Sequence, residues 1–241
     1  MRLDKLLSHT GYGTRKEVKK LISSGAIRVN DIICKKSGQI IKLNDDLVTV
    51  MGEPVVYQEY YYYILNKPAG IISATEDNFH ETVINWLGPD YAHMELFPVG
   101  RLDIDTTGLL LLSNNGQLAH QLLSPKKKVP KRYVATIDGI VTQEDIEAFK
   151  AGLDLGDFIA QSAELIIHAT DIEAVQSEIE VEIWEGKFHQ VKRMFEKVGK
   201  EVLTLQRISM GPLWLDEDLA EGDWRELTEE EAQALEPYGF E

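Results

Sequence analysis

Asp103 and Asp105 stand one residue apart in a polar loop, Gly100-Arg101-Leu102-Asp103-Ile104-Asp105-Thr106-Thr107-Gly108, which runs directly into Leu109-Leu110-Leu111-Leu112. Three kinds of role fit such a pair. An Asp-x-Asp can bind a divalent metal, as in some nucleotide-sugar transferases. Two close carboxylates can share general acid and general base work. Loop carboxylates also accept backbone N–H bonds with no chemical role at all. No His or Cys lies within a few residues to complete a metal-ligand set. Gly100 and Gly108 mark tight backbone, and the four leucines read as a buried strand ending at the turn Ser113-Asn114-Asn115-Gly116. A charged loop braced by a buried strand is a rigid place for reacting groups.

The elements that must hold this loop are of mixed type. Tyr60-Tyr61-Tyr62-Tyr63-Ile64-Leu65 is a strong strand signal. Its tyrosines are expected to alternate between core and surface rather than to form a base-stacking platform. Arg132–Ile137 and Glu178–Trp184 are further strands; Gln117–Leu123, Gln143–Gly152 and Gln190–Val198 are expected helices. Thr228-Glu229-Glu230-Glu231 is a capping box that opens a short acidic helix. Strands and helices without a repeating strand–helix unit favour α+β over a doubly wound parallel sheet.

The first fifty residues form a pattern of their own. Leu3, Leu6 and Leu7 share one face of a short helix, interrupted by Gly11 and Gly13. Thr14 with Glu17 is a capping box for a second helix that buries Val18, Leu21 and Ile22 and stops at Gly25. Its other side carries Arg15, Lys16, Lys19 and Lys20, a crowding of like charge that costs helix stability unless an anion offsets it. Short strands at Ala26–Asn30, Asp31–Lys35, Gln39–Lys42 and Leu47–Met51 complete a plausible small unit.

Charge is sorted along the chain. The 241 residues carry a formal net charge of −15, unusual for a nucleic-acid binder. Residues 1–44, however, hold ten basic and three acidic side chains, whereas 216–241 hold eleven acids and only Arg225. Ser124–Tyr133 has five bases (Lys126, Lys127, Lys128, Lys131 and Arg132) and no acid. Phosphate contacts need only a local patch. No apolar run approaches the roughly 20 residues that span a bilayer, and no signal peptide is expected behind Met1-Arg2-Leu3-Asp4-Lys5. The single Cys34 excludes a disulfide framework, fits a reducing cytoplasm, and is expected to be a packing residue.

Several segments then coincide in one resemblance. Gly100-Arg101-Leu102-Asp103 with Asp105-Thr106-Thr107-Gly108-Leu109 resembles the central motif of pseudouridine synthases, in the branch typified by RsuA. Leu65-Asn66-Lys67-Pro68-Ala69-Gly70 looks like the family's first motif, and Lys131-Arg132-Tyr133 like its Lys-x-Tyr segment. Glu185-Gly186-Lys187-Phe188-His189-Gln190-Val191-Lys192-Arg193-Met194-Phe195 looks like its third. Leu219, Gly222, Arg225-Glu226-Leu227-Thr228 and Glu231 resemble the branch's ending. Arg2-Leu3-Asp4-Lys5-Leu6-Leu7, Thr14-Arg15-Lys16 and Arg28-Val29-Asn30 are similar to the S4-like (alpha-L) RNA-binding domain.

The resemblance implies an α+β chain in two parts, an S4-like domain over 1–55 and a catalytic domain over 59–241 with a mixed, mainly antiparallel sheet. It implies an isomerase that breaks the bond from ribose C1′ to uracil N1, rotates the base and reattaches it through C5, with no cofactor and no metal. Asp103 is the essential carboxylate implied, as nucleophile or as a base on the sugar. Lys192 is the basic residue beside it, and Tyr133 packs against the flipped uracil. Arg101 contacts phosphate or holds the space left by the extruded base. His189 takes a supporting hydrogen-bonding role rather than that of a general acid. Arg2, Arg15, Lys16, Lys19, Lys20, Lys131 and Arg193 are expected to contact RNA, helping to offset the few kcal/mol of base flipping. Lys192-Arg193, where relatives acting on the large subunit more often show Arg-Arg, points to small-subunit ribosomal RNA or an assembling small-subunit particle. The expected protein is a cytoplasmic monomer. Rival expectations are the same reaction on large-subunit RNA, a non-catalytic ribosome-assembly factor, and a metal-dependent glycosyl transferase using Asp103 and Asp105.

Overall fold

Apolar spacing near the N-terminus resolves into two helices and four short strands in the computed structural model, which describes residues 1–240. Helix α1 (Leu3–His9) buries Leu3, Leu6 and Leu7. Helix α2 (Arg15–Ser23) buries Val18 and Ile22 and opens on the expected capping box. Glu17 Oε2 accepts from the Thr14 N–H at 2.8 Å while Thr14 Oγ1 accepts from the Glu17 N–H at 3.4 Å. Such a cap stabilises a helix end by about 1 kcal/mol. Gly25, at φ 85°, turns the chain out of the helix.

Strands β1 (Ile27–Val29), β2 (Ile32–Ile33), β3 (Val48–Val50) and β4 (Glu53–Pro54) pair antiparallel in the order β2-β1-β3-β4. The strand expected at Gln39–Lys42 reduces to a single bridge, Arg2 to Ile40. Leu3, Leu7, Val18, Ile22, Ile27 and Ile41 form the centre of this unit's core, and Cys34 packs into it as expected. The compact unit comprises Met1–Tyr61 together with Leu87–Leu96.

The second unit comprises Tyr62–Trp86 and the described chain from Phe97 onward. Its strands are β5 (Tyr62–Lys67), β6 (Phe97–Pro98), β7 (Thr107–Ser113), β8 (Lys131–Asp138), β9 (Glu164–Asp171), β10 (Gln176–Ile183), β11 (Glu201–Met210), β12 (Leu213–Trp214) and β13 (Trp224–Glu226). They form one nine-stranded sheet, ordered β13-β5-β7-β11-β8-β10-β9, with β12 on β11 and β6 on β7. Every pairing is antiparallel except β7 with β11. The helices are α3 (Val83–Leu87), α4 (Gly116–Leu123), α5 (Gln143–Ala151), α6 (Gln190–Lys197) and α7 (Glu229–Leu235). Phe149 of α5 and Phe195 of α6 meet with ring centroids 4.8 Å apart, which ties those two helices together. Among the described residues no helix is long and apolar enough to cross a membrane.

One expectation is corrected. The tyrosines do not alternate: every residue of β5 from Tyr62 to Lys67 is buried. Successive side chains on a strand point to opposite faces, so both faces of β5 are covered. Lying between β13 and β7, it is an interior strand rather than a half-exposed one.

Candidate active site

The loop that bears Asp103 enters β7, and its shape is held by groups far away in sequence. Ser73 Oγ donates to Leu102 O and accepts from the Leu102 N–H, both at 3.0 Å. The Gly70 N–H donates to Ile104 O at 2.7 Å, and the Thr106 N–H closes a turn on Asp103 O at 3.1 Å. Beneath the loop lies Lys67, with no exposed surface. Its ammonium donates to Pro68 O and Thr106 O, each at 2.9 Å, and reaches Ile104 O at 3.5 Å. Residues 67–73 are thus the floor on which the loop 100–108 rests.

Burial pushes the Lys67 amine down to about 8 from an ordinary 10.5, against the opposing pull of Asp105, Asp103 and Glu221. The folded state therefore binds fewer protons at this site than the unfolded state between about pH 8 and 10.5. By linkage its contribution to stability is poorest below about pH 8 and improves as pH rises through that window. Urea denaturation of wild type and Lys67→Met at pH 7 and pH 10 is expected to show wild type gaining on the variant at the higher pH. A difference that is flat or shrinking with pH would mean that this amine is not buried in its charged form.

Asp103 is partly open to solvent and faces two bases from the segment that starts α6. Lys192 Nζ lies 3.6 Å from Asp103 Oδ2, and His189 Nε2 lies 3.7 Å from Oδ1. The direct hydrogen bond of Lys192 goes instead to Asp105 Oδ1, at 2.6 Å. That bond holds the Asp105 carboxyl below its ordinary range, against partial burial. His189 precedes α6 in a left-handed conformation, φ 51° and ψ 31°, rare for a residue with a side chain. Its ring stacks on Phe188 at 3.7 Å, and Phe188 is 69% exposed. Gln190 pins the bend: its Oε1 accepts from the Lys187 N–H at 3.0 Å and its Nε2 donates to Glu185 at 2.8 Å.

These groups border a cleft of about 920 Å³, whose lining includes Arg101, Asp103, Lys131, Tyr133, Lys192 and Arg207. That volume suits a nucleotide-sized ligand. Tyr133 on β8 is buried in the wall, and Arg101 is exposed at the loop. Two of the basic residues have partners within the protein. Lys131 opens β8 at 7% exposure and donates from Nζ to Val129 O at 3.2 Å, so it lies inside the cleft rather than on the outer surface. Arg193 points away from the cleft, paired with Asp157, donating to Leu155 O at 3.1 Å and lying 5.1 Å over the Phe158 ring. In the N-terminal unit Arg2 is engaged with Asp4 at 3.0 and 2.7 Å, whereas Arg15, Lys16, Lys19 and Lys20 are exposed on α2. Among the described residues no group of three or more His, Cys, Asp and Glu is arranged to hold a metal ion.

Sequence reasoning gave no role to Arg207, Lys67 or Ser73. The signal for Arg207 was there: Leu205, Arg207 and Ser209 alternate on the inward face of β11, so a cation occupies a core position. Lys67 lay within the segment that resembles the family's first motif, but its place under the loop, like that of Ser73, is set only by the folded chain.

A family model described as RNA pseudouridylate synthase matches residues 61–197, which include the cleft-forming loop, Tyr133 and Lys192. The chain belongs to the RNA pseudouridylate synthase family. A second model, the S4 domain, matches residues 1–47. An uncharacterised RNA pseudouridine synthase of Bacillus subtilis is 47% identical, over 98% of each chain. The ribosomal small subunit pseudouridine synthase A of Vibrio cholerae is 36% identical, over 98% of this chain and 99% of its own. The ribosomal large subunit pseudouridine synthase B of Bacillus subtilis is also 36% identical, over 97% and 95%. A crystal structure of a pseudouridylate synthase matches 98% of this chain and 99% of its own, with a TM-score of 0.65 at 33% identity. The protein is thus a pseudouridine synthase, an isomerase, built on the α+β fold its motifs implied.

Proposed function

We propose that this pseudouridine synthase isomerises one uridine of small-subunit ribosomal RNA, without a cofactor, as a cytoplasmic monomer. The observation that carries the reading is the position of Asp103, held between Lys192 and His189 at a cleft that has Tyr133 in its wall. Asp103 acts on the ribose of a flipped uridine, as nucleophile or as base. Lys192 bridges Asp103 and Asp105 and holds the carboxylate in place, while Tyr133 packs on the uracil. Residues 59–241 carry this chemistry. Residues 1–55 hold the RNA by its phosphates through Arg15, Lys16, Lys19 and Lys20, with Arg2 and Arg101 adding contacts.

Both a small-subunit and a large-subunit synthase are 36% identical to the chain, so identity does not choose between them. Lys192-Arg193 and Asp103-Ile104-Asp105-Thr106-Thr107 favour the small subunit through their resemblance to that branch. The test is incubation with small-subunit and large-subunit transcripts and partly assembled subunits, with pseudouridine mapped by carbodiimide labelling and primer extension. One new stop in small-subunit material is expected. A stop only in large-subunit RNA would keep the chemistry and change the substrate, and tight binding with no stop on either would favour an assembly factor.

A further inference from the structure

Two cations are buried in the cleft wall with no carboxylate beside them. Among the described residues Lys131 has only the carbonyl of Val129 as a hydrogen-bond partner. Arg207, 1% exposed, donates from Nε to Leu109 O at 2.8 Å, and its Nη2 is sealed from solvent with no partner. Among the described residues neither takes part in an ion pair. Glu185, the buried acid in the same wall, is bonded to Gln161 and Gln190 instead. An uncompensated buried charge costs several kcal/mol, so a pair of like sign is a standing strain on the fold. The Lys131 amine registers it, pushed down to about 8 by burial and then by the charge of Arg207. Groups held this way cluster where a ligand supplies the missing charge.

The strand register places the two cations around Tyr133. Lys131 and Tyr133 are two apart on β8 and share its buried face. Arg207 on β11 stands directly opposite Tyr133 in the antiparallel ladder, where Cβ atoms approach to about 5 Å. The tyrosine expected against the uracil is therefore flanked by two positive charges inside the cleft that also holds Asp103. A backbone phosphate, kept near solvent by its ribose links, is a poor match for a guanidinium atom sealed from solvent.

We propose that Lys131 and Arg207 hold the negative charge that appears on the uracil ring when its bond to ribose breaks. The inference rests on the uridine isomerisation proposed above. When the N1–C1′ bond breaks, its electron pair stays with the base and spreads over N1, O2 and O4. C1′ is then either captured by the Asp103 carboxylate as an ester, or C2′ gives its proton to Asp103 and a C1′=C2′ double bond forms. Both routes release the same uracil anion. When C5 bonds to C1′, the ester bond returns its pair to Asp103, or C2′ regains its proton. C5 then gives its proton to water and N1 takes one from water, a tautomerisation that leaves the ring neutral. The two cations favour the anion without donating a proton, as preorganised charges do for an oxyanion.

The test uses the full chain in excess over the ribosomal RNA transcript on which wild type forms pseudouridine. That transcript is prepared with uridine or with 5-fluorouridine, whose fluorine stabilises the ring anion without help from the protein. Loss of the N-linked nucleoside is followed by digestion and mass spectrometry. On uridine, Lys131→Met and Arg207→Gln are expected to slow the bound-state rate about 100-fold, with RNA affinity unchanged. Lys131→Arg is expected to restore most of that rate. On 5-fluorouridine the deficits are expected to shrink to about tenfold, because less charge needs holding. Equal deficits on both substrates, or lost RNA affinity with an unchanged bound-state rate, would overturn the proposal in favour of a structural or phosphate-binding role. Product from wild type and none from Asp103→Asn shows that the underlying reading stands in that same experiment. No product from wild type on any RNA would take both down.

Discussion

Replacing Asp103 by Asn is expected to lower pseudouridine formation by at least about 10⁴-fold, the scale seen when the central group of a catalytic unit is lost, while leaving the fold intact. The substitution keeps the shape of the side chain and removes only its charge. Asp103 is partly exposed and its neighbours Lys192 and His189 stand off at 3.6 and 3.7 Å, so the contacts it gives up contribute about 1 kcal/mol or less. Thermal melting should therefore move little, and RNA binding should survive. Asp105→Asn is the informative contrast. Asp105 has a side chain 65% exposed and takes the short bond from Lys192. Without that anion Lys192 is free to turn fully to Asp103, and activity is expected to stay within about tenfold of wild type. Primer-extension mapping on the two variants in parallel reads both numbers. An Asp105 variant as dead as the Asp103 variant would show that the two carboxylates act as a unit.

Gly108→Ala is expected to cost at least about 3 kcal/mol, a large share of the roughly 5–15 kcal/mol that keeps a typical domain folded. Gly108 sits at φ 99°, where a side chain is strained in any surroundings. Here the surroundings forbid it as well. An added Cβ would lie 2.3 Å from Arg207 O and 2.8 Å from Arg207 N, atoms of the backbone that cannot swing aside. This is the parallel contact of β7 with β11, where Arg207 pairs with Gly108. The same close approach joins the end of the Asp103 loop to the strand that carries the buried arginine. Gly100→Ala, at the other end of the loop, would meet only the Leu123 Cδ2 methyl at 3.0 Å, which can rotate away, and is expected to cost about 1–2 kcal/mol. Urea midpoints of the two variants test the ordering. A Gly108 variant as stable as wild type would mean that β7 and β11 can separate without loss.

Much of the architecture was legible because its signals are local. Capping residues and apolar spacing placed α2, α4, α5 and α6 within two residues of their observed ends. Short-range turn chemistry bracketed the Asp103 loop, and the glycines at 100 and 108 do adopt positive φ. The tyrosine run does not alternate, because burial of β5 on both faces is imposed by neighbouring strands and by what packs across them. The basic run 124–133 likewise looked uniform in sequence. In the fold Lys126, Lys127 and Lys128 remain exposed while Lys131 turns into the cleft, since a strand begins at that residue and its parity faces inward.

The sequence by itself determined most element types and the family, and it singled out Asp103 as the candidate carboxylate, since each depends on residue types at short spacing. The division of the lysines and arginines was decided only by the tertiary structure. Lys67 lies under the loop, Lys192 bridges two aspartates, Arg193 is turned away to Asp157, and Lys131 and Arg207 are buried beside Tyr133. A cation looks the same in any sequence position. What it does depends on which carbonyls, carboxylates and cavities the folded chain sets within a few ångströms of it, and many of those partners, such as Asp105 for Lys192 and Leu109 for Arg207, lie far away in sequence.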